Sequence, residues 1–332
     1  MRMTRVVAIS LLVVVAFVAG RAEAQVSIGA AQSLYIQPGA RPAGMGDCFV
    51  AIADDATACY WNPAGLAYMR GDKNFTLMHS ELVPDWGDVY YEYASFGWKV
   101  SGLGTLGFSV TYLTYGEQTA TEETPDGGIV KGTFTSYEFI PSVAYGTTIG
   151  EDLALGLNLK FVYVDLAPRE FALDDTEGTG VTFAGDIGML YRVNGGRLTI
   201  GGAVQHIGPK IGFSDEPQKD NLPRNLKVGA AYRLIDDEMN LFLLTGEYNK
   251  SLVIYEDFFD QSTGVILNVG AEYRYYDLLS LRAGYVYDKD GDVKDLAYGF
   301  GVQYKDWAFD WASIPQAEGL TRPFRFSLSA FF

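Results

Sequence analysis

From residue 74 onward, apolar residues alternate with small or polar ones at a period of two, the pattern of strands whose two faces meet different surroundings. The cleanest run sets Leu153, Leu155, Leu157, Leu159, Phe161 and Tyr163 against Ala154, Gly156, Asn158, Lys160 and Val162. The split recurs in Leu106, Phe108, Val110 and Tyr112 against Gly107, Ser109 and Thr111, and in Leu296, Tyr298, Phe300, Val302 and Tyr304 against Ala297, Gly299, Gly301, Gln303 and Lys305. Fourteen strands are predicted, over 74–81, 89–100, 104–115, 134–147, 153–165, 180–192, 197–207, 224–234, 239–249, 265–276, 278–288, 295–305, 307–313 and 323–332, with no helix-period segment among them. Most reach about 11 residues, enough to cross a bilayer at a tilt, against about 5 or 6 for ordinary strands.

The connections alternate. Short turns fall at 101–103, 148–152, 193–196, 235–238, 277 and 306, and longer links at 82–88, 116–133, 166–179, 207–223, 250–264, 289–294 and 314–322. Short periplasmic turns opposite long extracellular loops are the rhythm of an outer-membrane barrel. In hydrocarbon an open sheet edge leaves backbone groups unpaired, so the sheet must close. The prediction is therefore an all-β, 14-stranded antiparallel transmembrane barrel over 71–332. Its lumen face carries Asn158, Lys160, Asp186, Arg192, Asn225, Lys227, Arg233, Asn268, Glu272, Arg274, Arg282, Gln303 and Lys305, and strand-end tyrosines (Tyr112, Tyr115, Tyr163, Tyr275, Tyr287, Tyr304) are expected in an interfacial girdle against outer-membrane lipid. The last run places Phe324, Phe326, Leu328, Ala330 and the terminal Phe332 on one face, which resembles the signal read by the barrel assembly machinery of diderm bacteria.

Composition narrows the class further. A chain of 332 residues with 48% hydrophobic and 14% aromatic content is not disordered. It also lacks the repeated runs of about 20 apolar residues that a helical membrane protein needs. Arg2 and Arg5, the apolar stretch 6–18 and Ala22-Glu23-Ala24 predict a signal peptide over 1–24. Its removal leaves 22 basic and 40 acidic residues, a net charge of −18 that argues against binding nucleic acid.

Residues 25–70 do not alternate. Pro38 to Gly46 is rich in Gly and Pro, Asp54 and Asp55 are placed to cap a helical turn, and Asn62-Pro63-Ala64-Gly65 is a turn sequence. A compact apolar piece ahead of a barrel is expected to form a plug, or hatch, in the lumen. Cys48 and Cys59, the only cysteines, both lie there, and in an exported protein two thiols are a candidate disulfide.

The stretch from Ala40 through Gly44-Met45-Gly46, Asp54-Asp55 and Asn62-Pro63-Ala64-Gly65-Leu66 to Ala67 resembles the N-terminal signature of the PorV/PorQ family within the wider group of FadL-like barrels. The resemblance implies an outer-membrane barrel with an N-terminal plug. In secretion-type members it implies partnership with type IX secretion proteins and their cargo. FadL-like barrels also include uptake channels for hydrophobic molecules, so an accessory or shuttle barrel and a small-molecule channel both stand as readings.

Other chemistry finds little material. Gly102-Leu-Gly-Thr-Leu-Gly107 fits a dinucleotide fingerprint but is followed by a strand, not a helix. His79 and His206 are the only histidines, no G-x-S-x-G occurs, and no catalytic, cofactor or metal residue is predicted. The acidic loop from Asp288 to Asp292 departs from EF-hand spacing and reads as a solvated turn. Tyr255, Phe258 and Phe259, interleaved with acids, are a candidate partner-docking loop.

Overall fold

The computed structural model describes residues 30–85, 87–124, 127–171, 178–213, 219–253, 264–317 and 319–332. The leader expected over 1–24 and the candidate docking residues Tyr255, Phe258 and Phe259 lie outside them.

Fourteen antiparallel strands form one closed barrel, each paired with its sequence neighbours and the last with the first. They are β1 (Lys73–Glu81), β2 (Val89–Val100), β3 (Gly104–Thr124), β4 (Gly127–Ile149), β5 (Leu153–Asp165), β6 (Thr179–Val193) and β7 (Leu198–Ile207), followed by β8 (Asn225–Asp236), β9 (Asn240–Ser251), β10 (Val265–Tyr275), β11 (Leu279–Asp288), β12 (Val293–Tyr304), β13 (Trp307–Ser313) and β14 (Phe324–Phe331). The seam pairs Asn74 with Phe331 and runs to Ser80 with Arg325. Beyond it, the Phe332 carbonyl accepts from the amides of Asp72 and Lys73, so the last residue completes the ladder.

The alternation is an inside-out one. Leu157, Leu159, Val181, Phe183, Leu281 and Leu296 point outward and are exposed, while Asn158, Lys160, Asp186, Lys227 and Glu272 point inward and are buried. An exposed apolar band of this extent needs hydrocarbon around it rather than water. Phe324, Phe326, Leu328 and Phe332 belong to the outward set; Ala330 is buried. Tyr275, Tyr287 and Tyr304 are exposed, as a girdle requires, but Tyr115 turns inward and donates to Glu138 Oε1 at 2.7 Å. Lys305 is likewise no lumen residue, for it sits at φ +54° in the tight turn between β12 and β13.

One connection differs from expectation. The link 116–133 is largely strand: β3 and β4 stay paired from Glu117 opposite Thr135 to Thr124 opposite Gly127, with bulges after Thr114 and Ala120. A crossing needs about 11 residues, and at about 3.4 Å per residue the surplus of β3 carries a two-stranded ribbon on the order of 30 Å beyond the membrane belt. Bulges bend strands and strengthen twist, which lets the ribbon leave the wall. In the wall itself, Pro141 of β4 has no N–H to give, and the β4–β5 pairing lapses between Phe139 opposite Tyr163 and Ser142 opposite Lys160.

Candidate functional site

Residues 30–70 hold four short helices of one or two turns: Gln32–Leu34, Ala40–Gly44, Ala58–Trp61 and Pro63–Tyr68. None is long enough to be stable alone, so the segment takes its shape from what it touches. Against β1 to β4 the contact is apolar, with Met45, Phe49, Trp61, Leu66 and Met69 packing on Met78, Tyr91, Tyr93, Leu113 and Ala144. Burying each large side chain contributes about 1.5–3 kcal/mol.

Elsewhere the wall meets the segment with polar groups. Glu138 of β4 accepts from the amides of Gln32 and Ser33, each at 2.9 Å. Glu247 of β9 accepts from Phe49 N and Val50 N at 2.8 Å while its other oxygen meets Lys227 at 3.3 Å, and that ammonium lies 4.3 Å from the Trp61 ring centre. Arg41 forms a fork onto Glu272, with Nε and Nη2 each 3.0 Å from a carboxylate oxygen, and reaches Asp54 at 2.5 Å. The chain of charges runs on through Arg282, 2.8 Å from Glu272, to Asp310 at 2.6 Å. Arg325 of the last strand pairs with Asp47 at 3.1 Å, and Ala40 N donates to Ser327 Oγ. Glu138, Glu247 and Glu272 are single acids at inward-facing strand positions; an acid on the lumen face of an alternating strand is the signal the sequence carries for them.

Electrostatics within the segment follow from this geometry. Burial favours neutral forms, yet the charges of Asp54 and Glu272 outweigh it and hold the Arg41 guanidinium well above its ordinary pKa. Burial likewise raises Asp54, but Arg41 overcomes it and the carboxyl ends below its usual value. For Asp55 burial prevails and the pKa rises.

Each residue of the N-terminal signature has a traceable part. Asn62 donates from Nδ2 to Val50 O at 2.9 Å and to Met189 O of β6 at 3.0 Å, and its Oδ1 accepts from Ala64 N to cap the Pro63 turn. Pro63, Ala64 and Leu66 are buried against β4 to β6, where Gly156 and Gly188 leave room; a Cβ on Gly188 would overlap Asn62 Oδ1. Gly65 sits against Ala53 O. Gly44 and Met45 press on β10 to β12, and Gly46, at φ +69°, passes over the backbone of Gly284 as no larger residue would. Neither aspartate caps the helix at Ala58, whose N-cap is Thr57 with no side-chain cap bond; Asp55 instead closes the turn before it, accepting from Thr57 N and Thr57 Oγ1.

Cys48 and Cys59 are not bridged; both thiols are free and buried. Cys48 Sγ lies 3.3 Å from Thr245 Oγ1 in β9 and 3.7 Å from Asn268 O in β10. Cys59 Sγ instead faces Gly107 in β3, across the ring of strands, so the spacing of eleven residues in sequence does not bring the sulfurs together. Burial pushes the Cys59 thiol up to about 12.

The lumen keeps a cavity at each end. The outer one, about 320 Å³, is lined by Leu34, Tyr35, Tyr60, Asn249, Ser251 and Ile266 among others, and the inner one, about 280 Å³, opens among the short turns. Gly102–Gly107 forms a turn leading into β3, and Asp288 Oδ1 accepts from the amides of Asp290 and Gly291 to close the β11–β12 turn.

A family model described as type IX secretion system protein PorV matches residues 20–256. Among curated proteins none matches. Solved structures share the fold. The Pseudomonas putida toluene transporter TodX superposes with TM-score 0.56 at 13% identity over 88% of this chain and 96% of its own. The Ralstonia pickettii toluene transporter TbuX gives 0.55 at 15% over 89% and 98%. A TodX deltaS2S3 mutant, a monoaromatic hydrocarbon channel, gives 0.60 at 12% over 88% and 97%.

Proposed function

The chain belongs to the PorV family of type IX secretion proteins, and from that premise we propose that this Gram-negative outer-membrane barrel serves protein secretion or surface attachment as an accessory or shuttle component, with residues 25–70 acting as a plug and the outward loops receiving protein partners. One observation carries the reading: the buried charges and amides of the wall are engaged by the N-terminal segment. Arg41, Glu272 and Arg282 form one chain and Glu247 holds two segment amides, an arrangement that keeps the segment in place rather than lining a path for solute. Work at the surface then falls to what projects from it. The β3–β4 ribbon exposes Ile129 and Val130, and the loop with Tyr255, Phe258 and Phe259 is a second docking element in this reading.

The test is affinity purification of the tagged protein from outer membranes, comparing the intact chain with one lacking 117–133 and one lacking 251–262. Secretion components or cargo should accompany the intact chain and fall away in a deletion variant that still gives a folded, heat-modifiable barrel. Recovery of the same partners with both deletions would sink the docking role of these loops.

A small-molecule channel is the second reading. It is favoured by the outer cavity, where apolar Leu34 and Ile266 meet Tyr35, and by the likeness to toluene transporters. Intact barrels that conduct, or that emerge with stoichiometric apolar ligand and no protein partner, would favour it over secretion.

A further inference from the structure

The outer cavity is walled by polar groups that the fold does not use. Asn249 and Ser251 stand two residues apart on the lumen face of β9, with Ile266 of β10 opposite Asn249 and Asn225 of β8 opposite Ser251. The N-terminal segment closes the other side with Leu34, Tyr35 and Gln37. Elsewhere in the lumen carboxamides are engaged: Nδ2 of Asn62 donates to Val50 O, that of Asn158 to Cys59 O and that of Asn268 to Asp47 O. Asn249 is only 2% exposed, yet neither its Nδ2 nor its Oδ1 has a partner. Oε1 of Gln37 is buried and unpaired as well, and the Tyr35 and Ser251 hydroxyls have only each other. Buried polar groups are nearly always satisfied. Water fills such a space when nothing else does, and a ligand that displaces it must reproduce its bonds.

The unfilled groups select the chemistry. A hydrocarbon would strip them of water and return no bond. An anion would leave Asn249 Oδ1 and Gln37 Oε1 empty and would meet Asp288 and Asp290, in a lining that has no Lys or Arg among the described residues. A cation would pair with those acceptors but leave the two N–H donors of Asn249 unused. Both aspartates are also partly engaged, Asp288 by the amides of Asp290 and Gly291 and Asp290 by that of Gly264. Groups that donate and accept at once answer every position, and several of them on one small frame are the hydroxyls of a sugar. Its C–H faces suit the rest of the wall, where Leu34, Ile266 and the Tyr60 ring lie. The floor is already paired: Tyr60 OH donates to Leu34 O at 2.9 Å, and His206 Nδ1 accepts at 2.9 Å from Lys160, whose charge is met by Asp186 at 2.7 Å.

We propose that the outer cavity binds one ring of a neutral sugar, with the Asn249 carboxamide holding a pair of adjacent hydroxyls and Gln37, Tyr35 and Ser251 meeting others. At about 30 Å³ per water the 320 Å³ space equals on the order of ten waters, enough for a pyranose of about twelve heavy atoms. It lies at the long-loop end of the strands, which faces the outside of the cell. A free sugar and the end unit of a surface glycan present the same hydroxyls. The assignment does not depend on the secretion reading, and its failure would leave that reading untouched.

Titration calorimetry on the intact barrel, in a polyoxyethylene detergent that carries no sugar, tests this with glucose, galactose, mannose, rhamnose and N-acetylglucosamine. Saturable one-to-one binding of at least one of these is expected. It should weaken about tenfold or more in Asn249→Leu, which removes both ends of the carboxamide at nearly constant volume, and several-fold in Tyr35→Phe. Glu151→Gln, in the exposed turn between β4 and β5, should bind as wild type does. A side chain that merely braced the wall would lower the unfolding midpoint when replaced, whereas an unpaired one should leave the heat-modifiability midpoint of Asn249→Leu equal to wild type or higher. The same sugars as methyl glycosides separate the sources: undiminished binding assigns the site to a glycan unit, and loss on glycosylation assigns it to a free sugar. The proposal is overturned if the folded wild-type barrel binds none of these sugars, including the case in which N-acetylalanine amide binds in their place, or if Asn249→Leu binds them unchanged.

Discussion

Glu272 is the residue on which most of the lumen charge depends, since it meets both Arg41 and Arg282 while almost wholly buried. Removing it leaves Arg41 with Asp54 and Arg282 with Asp310 but takes from two buried guanidiniums the carboxylate they share, a loss on the order of 3 kcal/mol. Glu272→Ala should therefore lower the unfolding midpoint in a heat-modifiability gel, whereas the exposed Glu92→Ala, paired only with His79 at the surface, should leave it unchanged. The cysteines make a complementary prediction. Because both thiols are free and sealed from solvent, native barrels should resist alkylation at pH 8, and denatured ones should take two labels without reductant. No label until reductant is added would restore the bridge.

Elements were legible in the sequence where their two faces met different media. All fourteen strands follow from alternation because hydrocarbon demands apolar residues on one side and the filled lumen demands polar or small ones on the other. The ribbon formed by the outer halves of β3 and β4 escaped that logic, for both its faces meet water and Thr119-Ala-Thr-Glu122 carries no contrast to read. Compactness of residues 30–70 was visible in their Gly, Pro and aromatic content, but their partners were not, since Glu138 and Glu247 are more than a hundred residues from the amides they receive. Wall and segment meet most closely where β6 passes Asn62. Gly188→Ala intrudes on the Asn62 side chain and should destabilise by about 1–3 kcal/mol, read as faster hydrogen exchange across 47–66. Gly246→Ala, which meets open space in β9, should leave exchange there unaltered.

At the scale of the whole molecule, acid should act on the segment before the wall. The native pKa of Asp54 is depressed, so its contribution is complete above the ordinary value of 3.8 and is lost as pH falls through the lower native value. Asp55 has the opposite sign: its raised pKa means that it takes a proton first, giving up only the 3.5 Å contact to Arg41. Pepsin at pH 5 should then leave residues 30–70 intact, and cleavage within them should appear below about pH 3.8; equal cleavage at both would remove Asp54 from the account.

The seam adds a matter of timing. The carbonyl of the final residue completes the ladder, and the last strand also grips the segment through Arg325 on Asp47 and Ser327 on Ala40, so on the proposal that the segment is a plug, the ring is expected to shut with the N-terminal piece already in position. Threading it in afterwards would mean forcing some forty residues through a hole it fills. On that proposal the segment is a mould for the wall, and a chain deprived of it should be slow to become a barrel at all.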